Sequence, residues 1–162
     1  MFMTGDRVVY PLHGGAIIED IEKLEQNGST QEYFVLRMLF ENMTISLPVK
    51  NAEKLGLRAI VQPAKLQEVA RILQEEPNVQ EVKRISWNRR FHYYMDKIKS
   101  GSILEVAWVF KVLFILEQEK NISVGERRLL HNTRQILQSE IMLVKEIDAA
   151  KAEAWLELAV AK

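Results

Sequence analysis

Three histidines, scattered carboxylates and a complete absence of cysteine bound the chemistry open to this 162-residue chain. His13 lies in a turn-prone stretch, His92 in a basic segment and His131 in a long periodic run. None stands in His-x-x-x-His or Glu-x-x-His spacing, so no zinc set is encoded, and without cysteine there is neither a thiolate ligand nor a thiol nucleophile. Glu75, Glu76, Glu117 and Glu119 share their stretches with Lys and Arg, the pattern of a solvated charged face rather than of a glycosidase pair. Gly14-Gly15 falls between two expected strands, with no helix start behind it to hold a phosphate. No nucleophile motif is present. These residues point to binding rather than catalysis, with no cofactor, no metal and no small-molecule substrate.

The residues that do suggest chemistry are Trp87-Asn88-Arg89-Arg90-Phe91-His92-Tyr93-Tyr94. The chain is neutral overall, yet Lys83 to Lys99 holds Lys83, Arg84, Arg89, Arg90, Lys97 and Lys99 against Asp96 alone, a local excess of +5. On a helix, Phe91, Tyr94, Met95 and Ile98 fall on one face and form a core stripe. Trp87 then stands in the first turn, Arg89 points away from the stripe, and Arg90 flanks it. Two readings of Trp87 remain open on these grounds. An indole beside guanidinium groups suits nucleic acid, because arginine forks phosphates and an aromatic ring stacks on a base or wedges a base step. The same ring can equally anchor the helix start while arginine stems cover apolar surface.

The elements that must position this segment divide the chain. Arg7-Val-Val-Tyr10, Ala16 to Ile21, Glu32 to Phe40 and Met43 to Leu47 read as short strands, joined by turn signals at Asn27-Gly28 and Glu41-Asn42. They suggest a small SH3-like or Tudor-like antiparallel sheet. Asn51 to Gly56 reads as one helical turn. Past Pro63, placed as the first residue of a helix, the period becomes helical. Helices are expected up to Glu76, from Trp87 (capped by Ser86) to Ser100, from a Ser102–Glu105 capping box to Lys120, from a Ser123–Glu126 box to Ile147, and from Asp148 through Leu158. The fold class is therefore α+β: a β module over 1–62 and a compact all-α domain over 63–162. Val106 to Leu116 is the most apolar stretch, interrupted by Lys111 and far shorter than the roughly 20 residues of a membrane span. It is expected inside the bundle, an exposed partner-binding patch being the alternative. With no signal-peptide pattern at the N-terminus either, the expected location is cytoplasmic, with no membrane partner.

Read as a whole, the chain resembles the CarD/CdnL family of bacterial transcription regulators. The resemblance rests on Gly5-Asp-Arg-Val-Val-Tyr-Pro-Leu-His-Gly14, Tyr33-Phe-Val-Leu36, Leu47-Pro48, Asn51-Ala-Glu53, Gly56-Leu-Arg58, Trp87-Asn-Arg-Arg90, Met95 to Gly101 and Ser123-Val-Gly-Glu-Arg-Arg128. It implies a Tudor-like N-terminal module, shared with the transcription-repair coupling factor, that docks on the RNA polymerase β subunit. It also implies a helical domain that reaches promoter DNA at the upstream edge of the bubble, where the tryptophan wedges the minor groove and stabilises the open complex. By residue matching Trp87 takes the wedge role and Arg89 and Arg90 the backbone contacts. His92 stands where some relatives have lysine, and Lys97 joins the same basic surface. Polymerase contact falls to Lys23, Leu24, Arg37 and Ser46, although some relatives carry arginine where Leu24 and Ser46 stand. A neutral chain with few phosphate contacts binds DNA weakly, and docking on polymerase would supply the missing effective concentration. The competing expectation is a protein–protein adaptor whose helical domain binds another protein and never DNA.

Overall fold

The computed structural model describes residues 1–161. The N-terminal part is a five-stranded antiparallel sheet: β1 (Arg7–Tyr10), β2 (Gly14–Gln26), β3 (Ser29–Met38), β4 (Thr44–Pro48) and β5 (Arg58–Ala59), in the order β4-β3-β2-β1-β5. Asn27 and Gly28 both take positive φ in the β2–β3 turn, as a tight two-residue hairpin requires. Glu41 and Asn42 do the same before β4. Alternation sends Ile18, Phe34, Leu36, Met38 and Leu47 into a small core with Val8, Ala16, Ala52 and Leu57. The β2–β3 ribbon is longer than the hydrophobic pattern suggests. Past Ile21 its pairing continues from Glu22↔Tyr33 to Gln26↔Ser29, although the β2 side chains there are exposed. Backbone pairing to a neighbour sustains a strand that burial does not mark.

Six helices follow among the described residues: α1 (Lys65–Gln74), α2 (Val79–Lys83), α3 (Trp87–Lys99), α4 (Ile103–Gln118), α5 (Val124–Lys145) and α6 (Ala149–Val160). Four local expectations need correction. Ser86 stands at the N-cap position of α3, but its side chain makes no capping hydrogen bond. Pro63 precedes α1 in a turn, and Ala64 is its N-cap. The single-turn α2, capped by the Asn78 side chain on the Gln80 N–H, fills a stretch read as a break. Ser102 accepts the Glu105 N–H at 3.4 Å, but the Glu105 carboxylate turns to Lys97, so only half of that capping box forms. Ser123–Glu126 closes its box in full, and Asp148 caps α6 through the Lys151 N–H.

The apolar run in α4 is the centre of the bundle. Val106, Ala107, Val109, Phe110, Val112, Leu113 and Leu116 are buried in the larger core, with Leu66, Val69, Leu73, Tyr94, Ile98, Leu130, Leu137 and Leu156 among their cluster. The exposed-patch alternative for this helix therefore fails.

Sheet and bundle meet where α5 crosses β2. A Cβ on Gly15 would lie 2.9 Å from Leu143 Cδ1 and 3.1 Å from the Ser139 backbone, so only glycine admits this approach. The Gly15 N–H donates to Ser139 Oγ at 2.7 Å. Beside it Arg58 donates through both terminal nitrogens to the Glu140 carboxylate, at 2.7 and 2.8 Å, and Glu140 also accepts the Val61 N–H.

Candidate nucleic-acid interface

The aromatic–basic segment forms the exposed corner where α3 begins against the start of α5. Trp87, the first residue of α3, is 44% exposed. Its ring stacks on Phe91 with centroids 5.8 Å apart and planes 18° from parallel. It also lies against Gly125 in the first turn of α5, where a Cβ would lie 3.0 Å from Trp87 Cζ2 and 3.5 Å from Cη2.

Below the ring lies a buried polar knot centred on Glu126. Arg90 donates from Nε and Nη2 to the two Glu126 oxygens at 2.8 and 2.9 Å. Tyr94 Oη donates to Oε2 at 3.3 Å, and the Ser123 hydroxyl to Oε1 at 2.9 Å. Glu126 is 1% exposed and the Arg90 side chain 15%. Burial alone would raise the Glu126 carboxyl, but the hydrogen bonds from Arg90 and Ser123 and the Arg90 charge outweigh it and hold the group below the ordinary carboxylate range. Tyr94 is pushed far above the ordinary phenol range, by burial first and by the Glu126 charge next.

The five residues assigned to DNA thus separate into two groups. Trp87, Arg89 and His92 are exposed, and no carboxylate pairs with Arg89 or His92 among the described residues. Arg89 and His92 line one open groove with Arg84, Ser86, Tyr93 and Asp96. Arg90 instead grips Glu126. Lys97 donates to Glu105 at 2.6 Å, with its ammonium over the Trp108 and Tyr93 rings at 4.7 and 5.1 Å. Burial opposes the Lys97 charge, yet the Glu105 bond and charge prevail and raise its pKa. Sequence reasoning took Ser123-Val-Gly-Glu126 as a helix cap, and Ser123 to Arg128 as one block of the resemblance, and missed what this turn carries to the surface. Val124, 68% exposed, adjoins the Trp87 seat, and Arg127 and Arg128 are exposed one turn into α5. Arg127 has only a loose pairing with Glu117 at 3.7 Å.

In the sheet, Arg37 pairs across to Thr44 and Val35 to Ser46, while Leu24 pairs with Gln31. With a side-chain period of two, Leu24, Arg37 and Ser46 share the outer face with Tyr33 and Val35. Lys23, one residue out of phase, lies on the opposite face. All four are exposed, and β4 is an edge strand.

Two family descriptions match the chain in succession: the CarD-like/TRCF RID domain over residues 2–61 and the CarD C-terminal domain over residues 68–157. YdeB of Bacillus subtilis strain 168, named as a candidate transcription factor, is 34% identical over 147 residues, spanning 91% of this chain and 94% of its own. The chain is also similar to the solved structure of CdnLNt from Myxococcus xanthus, at 39% identity over 38% of this chain and 86% of that one, with a TM-score of 0.32. With both family domains present in order and a relative matched over almost its whole length, the chain belongs to the CarD family and is a CarD/CdnL-like transcription regulator.

Proposed function

We propose that the protein bridges RNA polymerase and promoter DNA, with residues 1–62 docking on the polymerase β subunit and residues 63–162 contacting DNA at the upstream edge of the bubble to stabilise the open complex. The observation that carries this reading is the Trp87 corner: a large aromatic ring, firmly seated yet half exposed, near Arg89, which pairs with no carboxylate among the described residues. Trp87 is the group that inserts at a base step, a role suited to an apolar wedge whose backing does not yield. Arg89, His92 and Arg128 supply phosphate contacts. Arg90 and Lys97 act through the frame, since their charges are already satisfied within the protein. On the other module the outer face carrying Leu24, Arg37 and Ser46, continued by the β4 edge, offers side chains and unpaired backbone groups for strand addition. Lys23 contributes from the opposite face of the protruding ribbon.

The deciding experiment measures open-complex lifetime after competitor challenge, with wild type and Trp87→Ala. The substitution shortens the lifetime about tenfold, equivalent to ~1.4 kcal/mol, within the range an aromatic–base stack contributes, and leaves polymerase pull-down unchanged. An unaltered lifetime with normal pull-down removes the wedge. Crosslinks from the Trp87 corner to protein, with none to promoter DNA, would establish the adaptor reading instead.

A further inference from the structure

We propose that Gly125 and Glu126 are positioning residues that hold the Trp87 ring in its working orientation before DNA is met; this rests on the wedge reading above. Two independent observations carry it. The first is the glycine. Five of the seven glycines take positive φ, a backbone reason for their presence. Gly125 does not, and it occupies the second position of the 22-residue α5, where glycine is among the poorest helix formers. What explains it is space: the indole lies against the Gly125 Cα, and a methyl there would meet Cζ2 at 3.0 Å, closer than ordinary contact. The second is the knot below. Glu126 closes the cap of α5 and holds Arg90 with both oxygens, so the turn that carries Trp87 is locked to the turn that carries Gly125. With Phe91 stacked on the ring as well, the indole has few orientations to lose on engaging a base step, and preorganisation of this kind appears as affinity.

A glycine that merely fills space predicts the opposite of a glycine that seats a ring. Alanine outranks glycine as a helix former, so a ring that gives way to the methyl leaves the melting temperature of Gly125→Ala near that of wild type. The same substitution displaces the ring. The test uses the full chain with polymerase on promoter DNA, comparing wild type, Gly125→Ala, Gly125→Leu and Trp87→Ala. The Trp87 indole N–H resonance, identified by its loss in Trp87→Phe, reports ring position. We expect the resonance to move in both Gly125 variants. The lifetime extension then falls by about half or more in Gly125→Ala, and in Gly125→Leu approaches the Trp87→Ala level, because a misplaced wedge loses its preorganisation. Glu126→Gln retains a capping acceptor but removes the charge facing Arg90, and shifts the same resonance. A resonance that stays in place overturns the proposal. So does a displaced resonance with full lifetime extension; if Trp87→Ala still shortens the lifetime in that case, the wedge reading survives alone. If neither Trp87→Ala nor Gly125→Leu changes the lifetime, both readings fall together. Should Gly125→Leu not fold, Gly125→Ala decides by the same criteria.

Discussion

Glu126 and Glu140 lie on the same helix, about 21 Å apart along its axis at a rise of roughly 1.5 Å per residue. Each is 1% exposed and each receives a forked arginine. The settings differ. Glu126 is served from nearby elements, by Arg90, Tyr94 and Ser123, and it organises a corner of the bundle. Glu140 is served from the other module, by Arg58 and the Val61 N–H, and it organises the seam between sheet and bundle. One pair therefore shapes a surface, while the other relates two surfaces to each other. The difference also lies in redundancy. Without Arg90, Glu126 keeps the Tyr94 and Ser123 hydroxyls; without Arg58, Glu140 keeps a single backbone donor. Long α5 acts as the spine that joins the two devices.

The comparison is broken or sharpened by removing one arginine at a time. Arg58→Ala leaves a buried carboxylate nearly unpaired and lowers unfolding free energy by about 3–4 kcal/mol, read from urea denaturation. Arg90→Ala lowers it by about 2 kcal/mol, because the remaining donors still solvate Glu126. If Arg90→Ala proves the more damaging, redundancy is not what distinguishes the two sites. The Arg90 effect also depends on pH. The Glu126 carboxyl is depressed below its ordinary 4.5, so its ionised form contributes fully above that value and the contribution disappears as pH falls through the depressed one. The penalty of Arg90→Ala accordingly shrinks in acid, which the same denaturation series at descending pH measures. The smallest effect belongs to the half-formed cap of α4. Ser102→Ala costs about 0.5 kcal/mol, at the low end for caps, since its bond to the Glu105 N–H is long.

Local rules carried much of the fold. Asn27-Gly28 marked its hairpin because positive φ is a property of those residues, and Ser123-x-x-Glu126 marked the start of α5 because its partners are three residues apart. The stripe through Phe91, Tyr94, Met95 and Ile98 placed α3 for the same reason, with Tyr94 and Ile98 fully buried. The five-residue α2 escaped notice because a single turn has no period to detect, and the outer β2–β3 ribbon because its exposed side chains leave no alternation.

The candidate site was legible only in outline. Trp87, Arg89 and His92 stood out by type and do reach the surface, but charge and the family resemblance gave Arg90 and Lys97 the same standing. Only tertiary packing brings Glu126 and Glu105 against those two cations, and a cation's availability depends on what faces it in space. The same holds for Gly125, which meets Trp87 where α3 and α5 come together, and for Gly15, which the crossing of Ser139 requires. The amino-acid sequence by itself determined most of the elements, their order and the aromatic–basic island, because those follow from short-range sterics and periodicity. Which charges remain free, how the indole is seated and how the two modules are joined were decided by contacts between residues distant along the chain, and those exist only once α5 is packed against both α3 and β2.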